Sequence, residues 1–436
     1  MQRREFVKSS TLLGAGVALP RFSYAQVKGS DVIKVGLVGC GGRGTGAVCN
    51  MIEADQNIKI VAMADLFQDK FAGSKKKIAD FVAKKYPNKA KDIFDENTVK
   101  TFDGWDCCDK LLKEDVDVVI EATPPIFRTP HYAKIVEAGK HAFLEKPACV
   151  DVTQAREMME LSKKATQKGL CVVCGNQRRH SEHYQDIIKR VQDGEIGEIV
   201  SAQCYWNGAY YVGGYKGFED LGFDTMEYQI RKWSAFIWPS GDHIVEQHVH
   251  NLDVIMWALG DKRFPKEVRG WGGRSADSDL PYPRFGDRFS HFIIDFDMGE
   301  GLRLQSYCQQ ERKTSGEVGE RIIGTKGIMY TTGGCKLTDL KGNVTYINKK
   351  PALNAYVAEH KYLLNAIRTG QRVNRLDELI GSTMLAIAGR MSAFSGQKFK
   401  YGWVLAKSKE SLAPKEWKFG KYPLTGVPVP GKFKLV

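Results

Sequence analysis

The sequence predicts an α/β protein: an N-terminal Rossmann doubly wound parallel sheet followed by a C-terminal α/β domain with a large, mostly antiparallel open sheet. Three observations carry that expectation. From residue 31 to residue 177, short β-branched apolar runs alternate with helix-length stretches, the texture of right-handed βαβ units. A glycine-rich turn, GxGxxG, follows the first of these runs directly. From about Arg178 the apolar runs lengthen and partly alternate in polarity, as strands with one covered face do.

In order, "IKVGLVG" reads as a buried strand, "GAVCNMIE" as helix and "IKIVAMAD" as a second strand. "VDVVIEATP" makes another strand, "FRTPHYAKIVEAGK" a helix ending at Gly139, and "HAFLEKP" a strand. A helix over "VTQAREMMELSKKATQKG" and a strand over "LCVVCGN" complete the first domain. In the second domain, residues 178–400, "EIVSAQCYWNG", "RFSHFIIDFD", "LRLQSYCQQ" and "ERIIGTKGIMYTTGG" read as strands. Helices are expected near "IVEQHVHNLDVIMWALG", "YVAEHKYLLNAIRTG" and "ELIGSTMLAIAGRMSAFSG". Residues 401–436, Pro/Gly-rich at their end, are expected to wrap the surface, and no repeat of fixed period is present.

At 436 residues the chain has room for two well-buried cores. The N-terminal stretch "QRREFVKSSTLLGAGVALPRFSYAQ" pairs Arg3 and Arg4 with a modest apolar segment and small residues laid out as in an A-x-A cleavage site. Residues 1–25 are therefore expected to be a twin-arginine signal, cleaved after Ala25, on a route that carries folded proteins to the periplasm. Of the formal net charge of +13, that leader holds +3, leaving +10 on the remainder. The basic residues are scattered and form no block interleaved with aromatics, which argues against a nucleic-acid partner. Beyond the leader no apolar run is long enough to span a bilayer. The ten cysteines show no spaced metal or disulfide framework. Cys171 and Cys174, three apart on a strand, are expected to be buried free thiols on opposite faces.

Gly39, Gly41 and Gly44 supply the dinucleotide turn: the first for the tight bend, the second for backbone approach to a pyrophosphate, the third for close helix packing. Asp65 ends the next strand, where its carboxylate can accept hydrogen bonds from ribose hydroxyls and repels a 2′-phosphate. NAD is thus expected over NADP, although Arg43, inside the loop beside Gly42, could meet a phosphate.

"LEKPACVD" places Glu145, Lys146 and Pro147 at the carboxyl end of a parallel strand, where open α/β sheets bind ligands. A lysine there can share a proton with a substrate hydroxyl or carbonyl and stabilise a developing alkoxide. In "GDHIVEQHVHNLD", a helical period brings His243, Glu246, His250 and Asp253 into one sector and turns His248 away. Two chemistries are open to that face. His and Glu could transfer protons, with Asp253 or Glu246 orienting a ring nitrogen. Alternatively His243, Glu246 and His250 could bind a divalent metal, although the spacing is not that of HExxH.

The segments "VGLVGCGGRG", "ATPPIFRTPHYAKIVEAGKHAFLEKP", "GNQRRHSEHY", "DGEIGEIVSAQ" and "EQHVHNLDVIMWALG" together resemble the glucose-fructose oxidoreductase, inositol dehydrogenase and MocA (Gfo/Idh/MocA) family, over roughly residues 31 to 400. The resemblance implies an N-terminal Rossmann domain and a C-terminal domain whose open sheet supports homo-oligomers. Lys146 matches the family's catalytic lysine and His250 its catalytic histidine. Glu246 stands where the dehydrogenases usually carry Asp. Thr123, Pro124, Glu145 and Gln177 join the glycine loop as expected cofactor contacts, and Arg178 and Tyr205, with His243, Glu246 and His250, as substrate candidates. The implied activity is NAD-dependent oxidation of a sugar or glycoside hydroxyl, at C3, with a tightly held cofactor. The alternative is a redox-neutral glycoside hydrolase in which that oxidation is undone within each turnover, which needs no external cofactor pool. Aromatics in "YWNGAYYVGGYKGF" and "RKWSAFIW" could stack on sugar faces.

Overall fold

A computed structural model describes residues 31–208, 217–275, 282–284 and 286–436. The expected leader and the stretch "AYYVGGYK" lie outside the described residues. Strands β1 (Ile33–Val38), β2 (Ile58–Asp65), β3 (Lys100–Asp103), β4 (Val118–Glu121), β5 (His141–Leu144) and β6 (Val172–Cys174) form one sheet. Its order is β3-β2-β1-β4-β5-β6 and every pair is parallel. That order reverses between β1 and β4, so the crevice for a ligand opens at the carboxyl ends of these two strands.

The sequence expectation omits β3 and the helices Lys70–Lys85 and Cys107–Leu112. Strand β3 is four residues long and largely exposed, so it carries no apolar run to read. The lysine-rich helix does bury Phe71, Ile78 and Val82 at helical spacing, a signal that was available.

Alternation along the strands sends Val35, Leu37, Val118, Ile120 and Phe143 to one face and Val38, Val119, Ala142 and Leu144 to the other. The first face is covered in part by Leu363, Leu364 and Ile367 of the late helix Ala355–Thr369. The chain therefore returns to the first layer, and the linear division at residues 177 and 178 gives way to an interleaved one. Cys171 and Cys174 fall in the two different clusters, and the cysteines of the described residues are free thiols.

The second sheet holds β7 (Ile199–Gly208), β8 (Glu267–Gly273), β9 (His291–Asp297), β10 (Arg303–Gln310), β11 (Glu317–Gly324), β12 (Gly327–Tyr330), β13 (Lys336–Asp339), β14 (Val344–Ile347) and β15 (Phe399–Lys400). Among the described residues its order is β14-β13-β12-β11-β7-β10-β9-β8-β15, antiparallel except between β7 and β10. Helices Val249–Ala258 and Leu376–Ser395 cover one face. The second of these approaches so closely that a Cβ on Gly270 would stand 2.8 Å from the Ala393 nitrogen. On the opposite face Trp271 and Ile293 stay 51% and 44% exposed.

Candidate active site

The glycine turn has the geometry its spacing implies. Gly39 adopts φ +97°, and a Cβ on Gly44 would lie 1.9 Å from the Gly39 carbonyl oxygen, so the third glycine is required for the helix Gly42–Ala54 to pack on β1. Gly41 and Gly42 differ in kind: nothing lies within 4 Å of where their Cβ atoms would stand. That open backbone at a helix N-terminus is room for an anionic group. It borders a cleft of about 510 Å³ that is also lined by Arg43, Asp65, Thr123, Pro124, Phe127 and His131.

Asp65 reaches into this cleft from the end of β2. Its carboxylate accepts the Cys40 N–H at 2.7 Å and the Phe67 N–H at 3.0 Å. Burial raises its pKa, and those two N–H groups act in the opposite direction. Below the cleft floor, Glu121 is fully buried between Arg128, at 2.8 Å, and the Thr123 hydroxyl. Burial acts against the Glu121 charge, but Arg128 and His131 prevail and hold its pKa below the ordinary carboxylate range.

Arg43 lines the cleft and is anchored from one side. It is paired with Glu145, lies 4.8 Å from the centroid of the Tyr356 ring and stands 3.8 Å from Glu359. The buried Glu145 carboxylate is the ion partner of the guanidinium, an anchor that loop position alone does not disclose. Glu145 in turn accepts the Lys146 backbone N–H at 3.2 Å. Gln177 donates to the Tyr356 hydroxyl at 3.2 Å. Glu145, Lys146 and Gln177 are thus joined to the cleft through Arg43 and Tyr356 and do not line it.

Lys146 follows β5 and crosses to the second domain. Its ammonium donates to the Glu246 backbone carbonyl and lies 3.9 Å from the Glu246 carboxylate. Burial lowers the Lys146 pKa, offset by Glu246 and Glu145. Burial raises that of Glu246, opposed by the Lys146 and Arg288 charges. His250 stacks on Trp206 at 5.9 Å between centroids, and no residue among those described hydrogen-bonds its ring. Burial, with the nearby Lys146 and Arg178 cations, drives its pKa well below the usual histidine value. The shift favours the neutral ring, which keeps a lone pair to accept a proton but is a weaker base than a free imidazole.

The expected sector of His243, Glu246, His250 and Asp253 is not assembled. The helix His243–Glu246 ends at Gln247, which adopts φ −126° and ψ −54°. The His248 N–H bonds back to the His243 carbonyl, five residues earlier, before the helix Val249–Ala258 begins. One residue more than an α-turn breaks the uniform phase on which the sector depended. His243 accordingly points into the core, edge-on to Phe292 at 5.0 Å, with neither ring nitrogen hydrogen-bonded. It is not brought beside Glu246 and His250 as a metal ligand, and no group of three potential ligands is found among the described residues. Asp253 orients no imidazole: it pairs with Arg179 through two contacts of 2.9 Å. His248 turns away as expected, to Ser306 at 2.8 Å.

Tyr205 is displaced for a related reason. Along β7 alternate residues face opposite sides, and Tyr205 stacks on Tyr307 at 5.3 Å on the open face of the sheet. Its neighbour Trp206, within the aromatic stretch expected to stack on sugar faces, carries the aromatic surface to His250. Strand parity separates it from Tyr205. Arg178 lies beside the same indole, 5.7 Å from its centroid, and is bound to Glu320 at 2.6 Å.

Residues 33–175 match the family described as oxidoreductases with an NAD-binding Rossmann fold. A glycosyl hydrolase family 109 protein of Shewanella putrefaciens is 27% identical over 177 residues, 40% of this chain and 35% of that protein. A scyllo-inositol 2-dehydrogenase (NAD+) of Bacillus subtilis is 26% identical over 223 residues, 49% of this chain and 55% of that enzyme. The chain thus spans about a third to just over half of the length of such curated relatives. A crystal structure of scyllo-inositol dehydrogenase from Lactobacillus casei with NAD(H) and scyllo-inositol superimposes with a TM-score of 0.61 at 20% identity. It covers 85% of this chain and 100% of that one, a likeness of fold. Among the described residues no helix is long and apolar enough to cross a membrane.

Proposed function

Because the chain belongs, through residues 33–175, to the Gfo/Idh/MocA oxidoreductase family, we propose that it is an NAD-dependent oxidoreductase acting on a ring hydroxyl of a sugar or glycoside. The observation that carries this reading is the Lys146–Glu246 contact, which sets a buried cation at the seam between a glycine-turn cleft and the helix bearing His250. The cleft fits the dinucleotide by its open backbone at Gly41 and Gly42 and by the Asp65 carboxylate in its wall.

When bound, NAD supplies a hydride acceptor. The chain's own part is protonic and electrostatic. His250, held neutral by burial, takes the hydroxyl proton, and the Lys146 ammonium stabilises the oxygen as its charge develops. Glu246 holds Lys146 in position and opposes the lowering of its pKa by burial. Trp206 offers an apolar face to the sugar ring, and Arg178 offers hydrogen-bond donors to its hydroxyls.

The favoured product is a 3-keto sugar. A second reading, redox-neutral glycoside hydrolysis, is supported by the relatives named for glycosyl hydrolase family 109. A ketone at C3 acidifies C2–H, and a base can then expel the C1 substituent. The two are separated by incubating NAD-loaded protein with aryl glycosides and identifying products by mass: an intact keto-glycoside for the first, free aglycone for the second. Lys146→Met removes either activity; unaltered turnover by that variant overturns the assignment of Lys146.

Two further proposals accompany the enzymatic one. The exposed Trp271 and Ile293 support assembly of copies through the open sheet face. The paired arginines at residues 3 and 4 support export to the periplasm through the twin-arginine route, folded around a cofactor that is not exchanged.

A further inference from the structure

The cleft that borders the glycine turn is roofed by parts of the chain far from it in sequence. Trp417, in the C-terminal tail, and Trp233, Arg231 and Ile230, between β7 and β8, line it opposite the floor made by the first domain. The tail is tied down there: the Tyr422 N–H donates to the Asp224 carbonyl at 2.7 Å and the Met226 N–H to the Gly420 carbonyl at 3.0 Å. Trp417 meets Phe127 at 5.0 Å and Trp105 at 6.1 Å between ring centroids.

These rings share the cleft wall with Asp65, Leu66 and Phe67, whereas Lys146 does not line the cleft. On the NAD reading above, Asp65 meets the ribose of the adenosine half, so the group that follows it into the rings is the base. A purine presents a planar π-face and needs no charged partner, which is what a cluster of Trp105, Phe127 and Trp417 recognises. We infer that Trp417 is an adenine-binding residue of the cofactor site, and that the tail carrying it retains the dinucleotide between turnovers. Residues 413–424 are then part of the active site and not a surface wrapping.

The test uses the full-length protein and its Trp417→Ala and Trp417→Phe variants. Dissociation of NADH, ADP-ribose and reduced nicotinamide mononucleotide is followed by fluorescence and calorimetry, alongside thermal melting without ligand. Loss of one base-stacking contact weakens NADH and ADP-ribose by about tenfold or more. The mononucleotide, which lacks adenine, is unaffected, and Phe restores most of the loss. Unchanged NADH affinity in Trp417→Ala overturns the inference. So does equal weakening of all three ligands, which marks a structural role. Failure of the unaltered protein to bind NADH or ADP-ribose removes the functional reading itself, and the inference with it.

Discussion

Lys146 of the first domain donates to the backbone carbonyl of Glu246 in the second, with the Glu246 carboxylate 3.9 Å away. The contact does two things at once. It links the two domains at their seam, and it opposes the desolvation that lowers the lysine pKa.

The pH dependence of turnover follows from that pairing. Lys146 acts as a cation, so activity falls as pH rises through its depressed pKa. The Glu246 charge raises that pKa; Glu246→Gln removes the charge, lowers the pKa further and moves the alkaline limb of the kcat profile to lower pH. Lys146→Arg, charged throughout, erases the limb whatever its residual rate. A limb that stays in place or moves upward in Glu246→Gln excludes the pairing as the cause.

The two kinds of glycine in the turn separate folding from binding. Gly44→Ala forces a backbone clash with Gly39 and lowers the melting temperature of the ligand-free protein. Gly41→Ala has open space for its methyl group and leaves that temperature unchanged, but it fills the approach to the pyrophosphate and weakens NAD at least about tenfold. Calorimetry with and without NAD distinguishes them.

Asp253 tests the corrected site. Its bidentate pair with Arg179 is buried, and Asp253→Asn leaves the guanidinium with Asp261 and Glu378 as its remaining carboxylate partners. The expected cost is about 3 kcal/mol of stability, measured by denaturant unfolding, without a shift in the pH profile. A moved pH limb with unchanged stability restores Asp253 to a proton-transfer role.

Much of the first domain was legible because GxGxxG, the strand-ending Asp65 and the strand-ending Lys146 each have a local meaning that tertiary structure does not alter. What was not legible depended on phase or on distance. The cluster around His250 was read as one uniform helix, and a single wide turn at Gln247 sent His243 into the core. The aromatic of β7 was chosen by position, and strand parity put Trp206 rather than Tyr205 on the site side. Arg43 was placed by its loop, while its partner Glu145 lies 102 residues on. Trp417 carried no local signal at all, because its contact with Phe127 exists only once the tail has folded back.

The most direct measurement is a single-turnover one. The purified protein is freed of unbound nucleotide, its bound NAD is quantified after denaturation, and a glycoside is added to an intact sample with no cofactor supplied. The account predicts near-stoichiometric NAD and a rise in the absorbance of reduced nicotinamide that Lys146→Met does not show. Protein that carries no nucleotide, or that produces no reduced nicotinamide with any sugar or glycoside even when saturated with NAD, contradicts it.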